Sequence, residues 1–338
     1  MSETTAQGTS EVRTQKPGFG ERLLAVLVRV REVSVLIVAL GLIFYFQAAN
    51  PAFLSESNIL SLARFAVPYV VIASALCLLL ICGELDLSVG QSFAFAPIVM
   101  YLAYDKLFLV LPLAVVVGLL AVALVGLANG LITVYLGVSS LITTLGMFFL
   151  LAGLNVILTG GFPATTPDTN TLTKVLGEYP WAGAIWALVI VAVLQLVLSR
   201  TRWGLHTYAT GGNPLGSREA GVGVARIKIG NFIMCATLGG FVGIIESFRI
   251  NSIDPLAGGP DIVLLCIASA VIGGTALLGG IGTVTGAFLG ALVLVILRNG
   301  FTLQGIDSDT FNVVLGVAIL VAMVLNVYIA RLRGAGSV

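Results

Sequence analysis

Charge is what this chain has least of. Only 10% of its 338 residues are Asp, Glu, Lys or Arg, while 58% are hydrophobic; a soluble domain carries about 25% charged residues. So little polar surface cannot clothe a water-facing exterior, which excludes a soluble globular domain. The fold class predicted is an all-α polytopic membrane protein. A formal net charge of +1 leaves no cationic excess for a phosphate backbone, so no nucleic-acid partner is indicated.

Other scarcities narrow the chemistry. There is one histidine, His206, far from any acidic cluster in sequence. A Ser-His-Asp triad or a histidine-based metal site would have to be built on it alone, so no catalytic and no metal residues are assigned. None of the lysines, Lys16, Lys106, Lys174 and Lys228, follows a glycine or precedes Ser or Thr. The phosphate-binding lysine of a P-loop does both. The chain therefore has no nucleotide motor of that type, and if ATP drives it, another protein hydrolyses the ATP. Cys77, Cys82, Cys235 and Cys266 lie in or beside apolar runs with no CxxC spacing; they read as small packing residues. Ionisable groups are nearly absent from the middle of the apolar runs. Ion-coupled carriers keep such groups there, which weighs against that class without removing it. Glu246 and Arg249, three apart on one helix face, can pair near a membrane interface.

What is abundant is apolar length. Runs near 33–48, 60–82, 87–104, 107–129, 131–158, 181–199, 229–249, 262–279, 282–299 and 308–330 predict about ten transmembrane helices. The run 131–158 is long enough to hide a break. Residues 1–18 form a polar tail expected to be disordered, without the layout of a signal peptide. Residues 19–32, with Arg22, Arg29 and Arg31, read as an interfacial amphipathic helix or as an extension of the first span. A tail at 331–338 closes the chain. Basic residues concentrate before the first span, at 200–228 and at the C-terminal end. The positive-inside rule then puts both termini in the cytoplasm and calls for an even number of spans, eight if two short runs are re-entrant. Gly282, Gly286 and Gly290 repeat every fourth residue, a face for close packing within the subunit or across a dimer seam.

Between the spans, the stretch from Ser199 to Gly230 is too hydrophilic to cross a membrane. Thr210 to Pro214 reads as a turn, Asn213 as an N-cap and Pro214 as the first residue of a short helix ending near Ala220, at Gly221 or Gly223. Such a helix is a knob for a partner's groove or part of a plain solvated loop. In the stretch GELDLSVG (83–90), two carboxylates stand between apolar runs. With no nucleophile or metal ligand nearby they are not a catalytic pair. Asp86 reads as a cap on the following helix, with a proton relay as the lesser alternative. Gly83 and Gly90 allow a sharp turn and close packing.

Four stretches together carry a resemblance. GELDLSVG (83–90), SSLITTLGMFFLLAGLNVILTGG (139–161), YATGGNPLGSREAGV (208–222) and VIGGTALLGGIGTVTGAFLGALVL (271–294), followed by Asn299 and Gly300, are similar to motifs of the permease subunits of bacterial ABC importers for ribose, xylose and similar monosaccharides. The resemblance spans about 33–330. It implies a ten-span, type II importer-like permease domain in the bacterial inner membrane. It implies as partners a second permease subunit (a copy or a paralogue), a cytoplasmic ATPase with tandem nucleotide-binding domains, an extracytoplasmic sugar-binding protein and a small sugar substrate. ATP and Mg would sit on the ATPase, with no cofactor on this chain. The coupling segment, within 200–228, would dock the ATPase through Gly212, Asn213, Pro214, Arg218, Glu219 and Gly221. Polarity and family position make Ser88, Thr143, Thr144 and Asn155 the candidate translocation residues. Asp86, Gly90, Glu246 and Arg249 are the structural motif residues. The outer loop 159–180 is expected to receive the binding protein.

The chain departs from the family pattern at Leu205, at Gly216 and Ser217 (paired alanines in the family), at Ala152 and at Val263–Leu264. Glu84 stands where the family has glycine, so it is expected to be peripheral, facing water or headgroups. Permeases for nucleosides, furanosyl signals or branched-chain amino acids, an ion-coupled carrier and a structural scaffold are the competing readings.

Overall fold

The computed structural model describes residues 31–167, 170–306, 310, 312–314, 316–317 and 320–321. The expected tails at 1–18 and 331–338, residues 19–30 of the expected interfacial helix and most of the last apolar run lie outside the described residues.

Long apolar runs with few breakers fold as helices because only a helix satisfies every backbone group within its own segment. In chain order these are α1 (Arg31–Ala49), α2 (Glu56–Ile81), α3 (Val89–Asp105), α4 (Leu111–Tyr135), α5 (Ser140–Thr159), α6 (Ala182–Arg200), α7 (Arg202–Gly212), α8 (Pro214–Glu219), α9 (Val224–Ile250), α10 (Pro260–Ile272) and α11 (Val284–Leu303). Among the described residues, seven helices are long and apolar enough to cross a membrane: α1, α2, α4, α5, α6, α9 and α11. No strand occurs among the described residues; one antiparallel bridge joins Ala164 and Ile253 in the loops after α5 and α9.

Helix α2 is the central post. From Ala66 to Ile81 every residue except Tyr69 is buried, the mark of an interior helix that is apolar all round. Helices α6, α9, α10 and α11 pack around it, while α3, α4 and α9 form an adjoining group. Helix α1 docks on α11 through Phe46, whose ring stacks on Phe53 and meets Phe301 edge-on. Helix α5 packs against α3 and α4 with one face and exposes Leu141, Ile142, Leu145, Phe149 and Leu150 on the other.

Two expected spans are redrawn. The run 131–158 does not form one span: its first residues complete α4, and the chain turns at 136–139, where Gly137 has φ 71°. The span expected at 262–279 ends at Ile272. Its 13 residues reach about 20 Å at 1.5 Å per residue, short of a ~30 Å hydrocarbon core. Gly274, Gly279 and Gly280, all at positive φ, carry the rest as irregular backbone. The glycine stripe is resolved as packing within the subunit. A Cβ on Gly286 would lie 2.2 Å from the Gly273 carbonyl oxygen, and one on Gly290 would lie 2.0 Å from that of Ser269. Helices α10 and α11 thus touch backbone to backbone; Gly282 precedes α11 and is not part of the stripe.

Candidate functional site

The chain leaves α2 by a Schellman turn. Gly83, at φ 75°, donates to the Leu80 carbonyl at 2.9 Å, and Glu84 donates to that of Leu79 at 3.0 Å. Residues 84–88 then run non-helically through the interior, and Asp86 and Ser88 are fully buried. Irregular backbone inside a membrane protein must find its hydrogen bonds in the surrounding protein. Here the Leu85 N–H donates to Ser140 Oγ at 3.3 Å, and the Leu87 N–H to Thr144 Oγ1 at 3.1 Å. The spacing is matched. Two residues of extended chain advance about 6.6 Å, and four of helix about 6 Å, so alternate amides of the segment meet successive turns of α5.

Asp86 is not itself the N-cap residue, but its carboxylate sits at the helix start beside the Ser88 and Val89 amides. The N-cap of α3 is Ser88, whose side chain makes no capping bond. Asp86 Oδ1 instead accepts from the Ser88 N–H at 2.8 Å and the Ser88 hydroxyl at 2.6 Å, closing the turn ahead of α3. Asn129 of α4 donates to the same hydroxyl at 2.8 Å. The carboxylate therefore fixes the direction in which the chain enters the helix.

Helices α3 and α10 meet start to start. Gln91 donates to the Gly258 carbonyl at 2.7 Å, just before α10, and accepts from Asn155 Nδ2 of α5 at 3.0 Å. Gly90 makes the approach possible, since a Cβ there would lie 2.5 Å from Val263 Cγ2. Near this junction lies a cavity of about 640 Å³ whose lining includes Tyr69, Glu246, Gly259, Asp261 and Arg298. Arg298 donates to the Tyr69 hydroxyl at 3.3 Å and lies over the Phe65 ring, 5.0 Å from its centre. Glu246 holds Arg249 by two hydrogen bonds, at 2.7 and 2.5 Å. A second hollow of about 370 Å³ is lined by Arg64, Arg249 and Arg298, with Ser61 and Asn299.

The four candidate translocation residues, Ser88, Thr143, Thr144 and Asn155, are all buried, and none lines either hollow. Ser88, Thr144 and Asn155 bind the interrupted segment and the start of α3 to α4 and α5. Among the described residues, Thr143 Oγ1 has no hydrogen-bond partner. Sequence reasoning passed over Gln91, Asn129, Ser140 and Tyr69. Asn129 and Ser140 carried a signal, being isolated polar residues in or at the start of apolar helices. The Gln91–Gly258 contact joins residues 167 apart and carried none.

At the end of the molecule formed by 200–228, Asn213 accepts from the Gly216 N–H at 2.9 Å, Pro214 opens α8, and Gly221 follows it at φ 82°. Gly212, Asn213, Pro214, Arg218, Glu219 and Gly221 are all exposed, with Leu215 among them. Thr210–Gly212 is not a turn but the last turn of α7. The reason for Gly211 is contact: a Cβ would sit 1.6 Å from the Ile81 carbonyl oxygen. Asn231 of α9 accepts from Trp203 Nε1 at 2.8 Å and donates to Cys82 Sγ at 2.8 Å, tying α7 to the end of α2. Tyr208 donates to the Gly282 carbonyl at 2.5 Å, and burial pushes its phenol up to about 12. Glu84 is not peripheral: it is buried and ion-paired with Lys228 of α9. No cluster of metal-ligating side chains occurs among the described residues.

The sequence profile of the family described as branched-chain amino acid transport system / permease component matches residues 58–323. The chain is 40% identical to the xylose/arabinose import permease protein of Sulfolobus acidocaldarius, covering 87% of this chain and 83% of that one. It is 32% identical to the ribose import permease protein of Escherichia coli K12, covering 87% and 93%. It is also 32% identical to that of Bacillus subtilis 168, covering 84% and 89%. No solved structure matches the chain.

Proposed function

This chain belongs to the branched-chain amino acid transport system / permease component family, and from that premise we propose that it is the multi-pass inner-membrane subunit of an ATP-driven importer for a pentose or similar monosaccharide. The family description alone would suit an amino-acid cargo. The observation that carries the sugar reading is similarity over 84–87% of the chain, at 32–40% identity, to permeases named for xylose/arabinose and ribose.

The geometry supports the reading. The cavity beside the start of α10 offers carboxylates at Glu246 and Asp261, a guanidinium at Arg298 and an aromatic hydroxyl at Tyr69. Such groups hydrogen-bond vicinal hydroxyls, and few of them suffice for a brief stop. The arginine-lined hollow offers guanidinium groups to an extracytoplasmic binding protein, where complementary charge would speed encounter. Helix α8 presents its exposed tip to a cytoplasmic ATPase, which would bind ATP and Mg, and a second permease subunit completes the pathway. This chain carries no motor and performs no chemistry on the sugar.

The test is reconstitution of the chain with its ATPase and binding protein in liposomes, followed by uptake of labelled xylose, arabinose, ribose and leucine. Vanadate-sensitive, binding-protein-dependent pentose uptake is expected. Uptake of leucine instead of pentoses, or uptake driven by an ion gradient without ATP, would overturn the proposal.

A further inference from the structure

We propose that the Glu84–Lys228 ion pair is the link that carries movement of α7 and α8 into the buried segment 83–88, and so to α5. The inference rests on the importer reading, which supplies the force at α8.

Lys228 sits in the second turn of α9, just after the loop that follows α8. Its ammonium is ion-paired with Glu84, the side chains being only 20% and 10% exposed. Among the described residues this is the only hydrogen bond or ion pair from α7, α8 or α9 to residues 83–88. The other polar ties end elsewhere. Asn231 bonds Cys82, and Tyr208 bonds the Gly282 carbonyl, so neither reaches residues 83–88. Glu84, in contrast, is followed at once by the amides bonded to Ser140 and Thr144, and then by Asp86, Ser88 and Asn129. Helix α4 already packs directly on α9, with Gly130 against Ile229, so what the side-chain contact adds is a path from the α9 base to α5.

The chemistry suits a link. A pair withdrawn from water resists separation, because parting it leaves two poorly solvated charges. An irregular segment held by side-chain bonds can follow a pull that a continuous helix would resist. Glu84 stands where the resembled family has glycine, so the link is a property of this chain and not of that pattern.

A claimed transmission route requires coupling evidence. The experiment uses the complete reconstituted complex with E84Q, K228Q and the exchanged pair E84K/K228E. Sugar imported per ATP hydrolysed is measured beside the amount of ATPase bound. Each single variant is expected to bind ATPase normally and to import about fivefold less sugar per ATP or worse, and the exchanged pair to recover most of the loss. An unchanged ratio, an exchanged pair no better than the singles, or singles that merely assemble less complex at a normal ratio would each overturn the link. If the wild-type complex imports no sugar, the importer reading fails on its own, and hydrogen exchange on the isolated chain decides the rest. Faster exchange at 85–88 in both singles, reversed in the exchanged pair, supports the link; unchanged exchange overturns it.

Discussion

Gln91 holds the Gly258 carbonyl at 2.7 Å, and through this contact the starts of α3 and α10 are fixed against each other. Both helices are short for spans, with 17 and 13 residues. Each is preceded by irregular chain, and both flank the larger of the two hollows described. Interrupted helices meeting inside a transporter bring unspent backbone donors to one place.

Replacing Asp86 by Ala removes the acceptor for both the amide and the hydroxyl of Ser88. With a buried turn left open, a loss of about 1–3 kcal/mol is expected. It would be read as a lower melting temperature of the purified chain and less of it in the membrane. A variant that melts and transports like the wild type would show that the turn closes without its carboxylate.

Ser140→Ala and Thr144→Val strand the amides of Leu85 and Leu87. Each should cost about 1–3 kcal/mol, whereas Thr144→Ser, which keeps the hydroxyl, should cost clearly less. Faster hydrogen exchange at 85–88 in the first two alone is the signature to look for.

Gly290→Ala places a methyl group 2.0 Å from the Ser269 carbonyl oxygen and must push α10 from α11. Overpacking of this kind costs about 1–3 kcal/mol or more. Gly146→Ala on α5 meets nothing within 4 Å, so it should be neutral or gain up to about 1 kcal/mol from helix propensity. Equal melting temperatures for the two variants would contradict the packing described.

Arg298→Ala and Asp261→Asn remove polar groups from the cavity wall. If sugar pauses there, uptake should fall about tenfold for one lost charge-assisted contact, near 1.4 kcal/mol, with ATPase binding intact. Loss of assembly together with uptake would instead assign these residues to the frame.

Arg218→Glu reverses charge at the exposed tip of α8. Co-purification of the ATPase should weaken, and the effect should shrink as salt is raised, since rim charges are screened over about 10 Å at 0.1 M. Undiminished co-purification at low salt would move the docking site off α8.

The scarcity of charge and the long apolar runs were enough to make this a helical membrane chain, and the Asn213–Pro214 pair marked the start of α8. These features are local: a span needs only its own hydropathy, and a cap only its neighbouring amides. Boundaries followed less well. The turn inside 131–158 is marked only by Gly137, Ser139 and Ser140 among apolar residues, and the irregular stretch after Ile272 still carries Ala276, Leu277, Leu278 and Ile281 among its glycines. Tertiary structure alone decided what the carboxylates do. Glu84 read as peripheral because the resembled family has glycine at that position; its partner Lys228 lies 144 residues away. The junction of Gln91 with Gly258 and the arginine-lined hollow have the same origin. A buried polar group must be paired, yet the sequence states only that a partner is needed, and the packing of distant helices determines which one arrives.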